Sequence, residues 1–347
     1  MKIYAIHNNT GSRYYRLVPQ LKKMQEAGHE VILEAHNDKN IDAHLNWADV
    51  IIFQMVFDLT RVKRAKAIGK KVIFECDDLI HIVPKTHYEY ENTRGIVNRI
   101  KWWSRIIPIL IRCDGFISTN KYLNIKYGIL AKKRFIFPNY ADLNHWLKET
   151  KENPTDRIRL LWAGSTSHTG DLQMIKPVLK KILTKYPQVQ FVYIGTGGIK
   201  TEDLNAKFIY GDDMFAELPD NRESLLPMTG KLYPYTLASI GADIAIAPLE
   251  KNYFNRFKST CKGLEYGINK IPAVYSSWFY KDLIINGYNG FLADTEEDWI
   301  TALSILIEDK QKRKQTGDNA QSFILKNYNI DNYLNEWQAF VESIYAA

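Results

Sequence analysis

Residues 141–164, "ADLNHWLKETKENPTDRIRLLWAG", pass from a polar stretch containing one proline straight into an apolar run. A polar, Pro-containing segment between patterned regions reads as a linker, so 141–157 separates two units and "IRLLWAG" (158–164) opens the second. Upstream, short apolar runs alternate with helical patterns: "KIYAIH", "EVILEA", "ADVIIFQ", "KVIFECD", "DGFIST" and "FIFPN" are strands, with amphipathic stretches between them. Downstream the rhythm repeats with "QFVYIG", "KFIYG", "ADIAIAPL", "IPAVYS" and "GFLAD", and helices again fall between strands. Runs such as "VIIF" and "KVIF" are apolar at successive positions, as in strands covered on both faces. The sequence therefore predicts an α/β protein of two Rossmann-like domains, 1–150 and 151–330, each a doubly wound parallel sheet.

Composition agrees with this reading. The 347 residues are 46% hydrophobic and 24% charged, enough apolar material for two cores. Cys76, Cys113 and Cys261 are widely spaced and form no CxxC pair, so neither a disulfide framework nor a zinc knuckle is indicated. "MKIYAIHNNTGSRYYR" turns polar after six residues, which predicts a cytoplasmic protein. Charge is uneven: residues 1–150 carry 24 Lys and Arg against 15 Asp and Glu, while 151–347 carry 22 against 24. Such asymmetry points to an anionic partner or to a solvated basic face.

Two α/β domains facing a cleft bind ligands at the carboxyl ends of their strands. The loop "AGSTSHTGD" (163–171) follows a strand and opens a helix; its glycines and backbone amides suit phosphate oxygens, with His168 as the candidate side chain. It contains neither GxGxxG nor GxxxxGK[ST], and most of its hydroxyls read as turn and cap residues. "FNRFKSTCKGLEYG" (254–267) follows "ADIAIAPL" and also opens a helix, with Ser259 as N-cap. Lys258 stands at the positive end of the helix dipole, where a lysine is unfavourable unless an anion faces it. Lys262 and Glu265 share a face at i, i+3; Lys262 reads as the exposed half of a surface ion pair.

These segments, together with "ECDDLIH" (75–81) and "FPNYADLNHW" (137–146), resemble GT-B glycosyltransferases, specifically bacterial and phage members related to glycosyltransferase family 4. The resemblance covers nearly the whole chain. It implies a retaining, metal-independent transfer of a sugar from a UDP- or GDP-sugar to an acceptor hydroxyl, with no cofactor. Glu265 would take the ribose hydroxyls, Lys258 the diphosphate, and the amides at Ser259 and Thr260 the rest of the phosphate site. Gly164, Ser165 and His168 would approach from the other side, Gly11, Ser12 and Arg16 from the first domain, and Tyr233 would border the base. Asp77, Asp78 and His81 are the candidates for the reacting centre, with Lys258. Many retaining relatives carry a second glutamate eight positions before the first, where this chain has Phe257; Asn255 or Lys258 is then the substitute near the donor. The last helix, 331–347, would cross back to complete the first domain through Trp337, Phe340 and Ile344.

The acceptor falls to the basic first domain. "RGIVNRIKWWSRIIPILIR" (94–112) interleaves Arg94, Arg99, Lys101, Arg105 and Arg112 with Trp102, Trp103 and isoleucines. That pattern suits a membrane interface, a nucleic-acid backbone, or a crossover helix with a solvated side. The acceptors left open are a membrane-surface, lipid-linked or cell-wall glycan, an anionic polymer, and modified bases of phage DNA; the location is then the cytoplasm, its inner membrane face, or a host cytoplasm. A sugar-nucleotide epimerase and a non-catalytic nucleotide-sugar binder are the alternative functions.

Overall fold

A computed structural model describes residues 1–8, 11–195, 214–225 and 230–347. It contains two six-stranded sheets, both wholly parallel. The first is built from β1 (Lys2–His7), β2 (Glu30–Ala35), β3 (Val50–Gln54), β4 (Lys71–Cys76), β5 (Gly115–Ser118) and β6 (Lys133–Ile136), in the order β2-β1-β3-β4-β5-β6. The second comprises β7 (Ile158–Ala163), β8 (Val189–Ile194), β9 (Arg222–Leu225), β10 (Ile244–Ala247), β11 (Ala273–Ser276) and β12 (Phe291–Ala293), in the order β12-β11-β10-β7-β8-β9.

The apolar runs behave as doubly covered strands must. In β1, Tyr4 and Ile6 join one buried cluster while Ile3 and Ala5 join another on the opposite face. In β7, Leu160 and Trp162 face one cluster and Leu161 and Ala163 the other. Period-2 alternation with both faces apolar requires helices on both sides of each sheet.

Two details differ from the sequence reading, and one falls outside the described residues. The stretch 141–146 is more than a linker: Asp142 caps the helical turn Leu143–Trp146 by accepting from the amide of Asn144, and Trp146 is buried. The edge strand β9 is "RESL", which the sequence does not mark as a strand because it is polar. The strand expected at 207–211 lies outside the described residues.

The helix Leu334–Tyr345 returns to the first sheet. Trp337, Val341 and Ile344 are buried with Ile3, Ile52, Ile73 and Phe137. Phe340 stacks on Phe135 with ring centroids 5.0 Å apart. The two crossings between the domains also meet: the Ala141 amide donates to the Tyr328 carbonyl (2.8 Å) and the Ile330 amide to the Ala141 carbonyl (3.0 Å).

Candidate functional site

The carboxyl ends of both sheets face one cavity of about 730 Å³. Loops after β1, β3 and β4 supply Gly11, Ser12, Met55, Asp77 and Asp78; loops after β7, β8 and β10 supply Gly164, Ser165, His168, Gly195 and Lys258. Parallel sheets of this kind leave strand-end amides and short loops at such a crevice.

The helix Cys261–Ile268 aims its amino end into the cavity. Thr260 takes the N-cap position expected of Ser259, and its side chain makes no capping bond. Ser259 instead pairs with the first domain, accepting from Asn139 Nδ2 at 2.9 Å. Lys258 Nζ lies 3.4 Å from Asp78 Oδ2 and 4.6 Å from the centre of the Phe254 ring.

Lys262 is half-buried and lines the cavity, which corrects its reading as an exposed surface residue. Burial holds its pKa below the usual lysine value, against the pull of Glu265, with Lys258 adding to the depression. Its Nζ lies 3.4 Å from His168 Nε2, and His168 Nδ1 lies 2.6 Å from Asp171 Oδ2. Burial, reinforced by the charge of Lys262, pushes the His168 pKa down to about 3. A neutral imidazole donating from Nδ1 to Asp171 and accepting at Nε2 from Lys262 satisfies every group, so His168 orients the lysine.

Glu265 is buried on the cavity wall. Its carboxylate accepts from Tyr15 Oη at 3.0 Å and from Tyr233 Oη at 3.1 Å. Burial raises its pKa, opposed first by Lys262 and then by the two tyrosine hydrogen bonds. Asp77 is likewise raised, first by burial and next by its neighbour Asp78, while Arg16 and a hydrogen bond from Ser12 pull it back. A carboxyl whose basicity is raised in a cleft is a candidate proton acceptor.

Gly164 and Gly195 form the floor between β7 and β8. A Cβ on Gly164 would come within 2.5 Å of the Trp162 ring and 3.2 Å of Lys262 Nζ. Gly195 has φ +95°, and a Cβ there would lie 1.8 Å from the Gly164 carbonyl oxygen. Only glycine fits either place.

Of the residues expected from sequence, Gly11, Ser12, Asp77, Asp78, Gly164, Ser165, His168, Tyr233, Lys258, Ser259 and Glu265 meet at the cavity. Four do not. Arg16 is buried behind it, its Nε 2.6 Å from Glu75 Oε1, with Nη1 donating to Asn139 Oδ1 at 2.9 Å. His81 turns into the core, 2.7 Å from Tyr127 Oη and edge-on to Trp103. Asn255 is buried as a loop brace, donating to Asp171 Oδ1 (3.0 Å) and to the Glu250 carbonyl (2.9 Å). Thr260 supplies the helix cap but no part of the lining.

The sequence reading also passed over wall residues. Tyr14 and Tyr15 stack on His145 and Trp146, at 4.4 and 5.0 Å between ring centroids, and all four line the cavity. "YY" at 14–15 and "HW" at 145–146 become one wall only in the folded chain. Met55 also lines it, with φ +53°, a conformation unusual for a side-chain-bearing residue. Among the described residues no group of three or more His, Cys, Asp or Glu side chains is arranged to hold a metal ion, and no helix is long and apolar enough to cross a membrane.

No protein-family model matches the sequence, and no curated protein does. Solved structures match it along nearly its whole length. A glycosyltransferase from Rickettsia africae aligns with a TM-score of 0.67 at 13% identity, over 99% of this chain and 98% of that one. The Anabaena protein HepE, solved with UDP-glucose, aligns at 0.64 and 15% identity, over 99% of each chain. An alpha-glucosyltransferase solved with UDP-glucose and DNA containing an abasic site aligns at 0.65 and 13% identity, also over 99% of each. The chain has the GT-B fold of these proteins.

Proposed function

We propose that the protein is a glycosyltransferase that moves a sugar from a UDP- or GDP-sugar to an acceptor hydroxyl, with retained anomeric configuration and without a metal. The observation that carries this reading is the convergence of Lys258, Lys262 and the amino end of the helix Cys261–Ile268 beside the buried Glu265. That set offers positive charge and open amides to a diphosphate, and a carboxylate to the vicinal hydroxyls of a ribose. The GT-B fold, and the UDP-glucose bound by two structures that share it, support the donor class.

As the sugar departs, negative charge grows on the leaving diphosphate. Lys258, beside Asp78, and Lys262, oriented by His168, are fixed before the reaction and stabilise that charge without rearranging. Asp77, whose pKa burial raises, lines the cavity and is placed to take up the proton that the incoming hydroxyl gives up. The acceptor lies on the first-domain side, where the charge excess favours an anionic molecule.

The test is release of nucleoside diphosphate from UDP- and GDP-sugars, with and without anionic acceptors and with EDTA present. Release from one nucleotide class, accelerated by an acceptor and indifferent to EDTA, is the expected result. No release from any donor sinks the proposal.

A further inference from the structure

The helix Gly95–Leu110 covers the first sheet with Ile106, Ile109 and Leu110 buried. A crossover helix normally turns polar side chains outward. This one turns apolar ones outward as well: Ile96 is 75% exposed, Ile100 61%, Ile107 40% and Ile111, just past its end, 51%. At about 100° per residue these four fall within an arc of roughly 60°, a continuous apolar stripe facing solvent. Lys101, Arg105 and, past the helix end, Arg112 fall roughly 80° to 120° beyond one edge of the stripe, and Arg99 about 60° beyond the other. Among the described residues none of those four is ion-paired; Arg94, at the helix start, pairs with Glu91 at 2.7 Å. The turn Gly128–Leu130 packs against this helix and adds Ile129, 69% exposed.

We infer that this surface docks on a bilayer containing anionic lipid. A stripe of isoleucines bordered on both sides by bases has the form of a helix lying in the headgroup plane, its apolar face in the acyl boundary and its bases on lipid phosphates. Nucleic acid would satisfy the bases but leave the isoleucines in water. A second copy of the chain would bring like charges together along both flanks. Trp102, on the opposite side of the same helix, lines the cavity, so the docked helix would lie between the bilayer and the acceptor side of the cavity. An acceptor carried on a lipid is the corollary, and this corollary alone rests on the transfer reading.

The experiment is cosedimentation of the full chain with phosphatidylcholine vesicles, and with vesicles in which about one third of the lipid is phosphatidylglycerol, without any nucleotide sugar. Binding to the anionic vesicles and little to the neutral ones is expected. Ile100→Asp/Ile107→Asp should abolish binding with the melting temperature unchanged. Lys101→Gln/Arg105→Gln should weaken it by about fivefold for each charge removed. Absence of anionic-vesicle binding overturns the inference, as does binding that the isoleucine variant leaves intact. Duplex DNA retained more tightly than vesicles, or a dimer in light scattering that the isoleucine variant dissolves, also overturns it. Vesicle binding by a chain that turns over no donor would leave the docking surface standing and remove the transfer reading.

Discussion

Tyr15 and Glu265, 250 positions apart, are joined by a 3.0 Å hydrogen bond across the cleft. The bond belongs to a reciprocal exchange between the domains. Tyr15, from the first, is buried in the apolar cluster of the second with Trp146, Leu264 and Tyr266. Phe254 and Phe257, from the second, are buried in the cluster of the first with Phe53, Phe74 and Phe116. Each domain thus inserts aromatic rings into the other, and the site residues are attached to those rings.

Lys258 follows Phe257 directly and owes its position to that exchange. Lys258→Met should lower kcat by roughly two to three orders of magnitude, the loss seen when one preorganised donor to a developing charge is removed. Donor affinity measured by calorimetry should fall less than kcat. A fall in affinity with kcat unchanged would assign the lysine to ground-state binding instead.

Glu265→Gln keeps the volume but removes the charge that Tyr15 and Tyr233 donate to. A several-fold rise in the KM for the nucleotide sugar with little change in kcat is expected, because a ribose contact is the same in ground and transition states. The KM for the acceptor should not move.

Phe257 stands where the resemblance drawn from the sequence implies a glutamate, and it is 4% exposed in the first domain's core. Phe257→Glu should therefore fail to create a sugar contact and should destabilise the protein by more than about 3 kcal/mol, through cavity formation and a buried charge. Urea unfolding reads this directly; a melting curve like that of the parent chain would contradict the packing.

His168 predicts an acid limb to stability. Its pKa falls from 6.5 to about 3 in the folded chain, so the unfolded chain binds more protons between those values. The stability this contributes is complete above pH 6.5 and is lost as pH falls toward 3. His168→Asn should flatten the dependence of melting temperature on pH over that window, leaving a slope from His7, His81 and His87, whose pKa values are also pushed down, to about 4.

Much of this architecture was legible in sequence because apolar runs and strand-end loops are local patterns. The strands of the first sheet and the lysine at the wrong end of a helix dipole needed no partner to be recognised. What could not be read was the pairing of distant polar groups. Nothing local distinguishes Lys262, oriented by His168, from a lysine on a solvated face, or Asn255, bracing Asp171, from one aimed at a ligand. Arg16 looked available for the donor; burial beside Glu75, whose own pKa is pushed up to about 7 by that burial, makes it part of the scaffold.

The helix Leu334–Tyr345 supplies Trp337, Val341 and Ile344 to the core around β1 and β3. Those residues leave the ribosome after the entire second domain. At about 5 to 20 residues per second, the first domain waits roughly 10 to 40 s for the side chains that seal its sheet. During synthesis the face holding Ile3, Ile52 and Ile73 is covered only in part, by Leu17, Leu21 and Met24 at the helix Val18–Glu26, so nascent chains shortened before residue 334 should engage holdase chaperones through the first domain even when the second has folded.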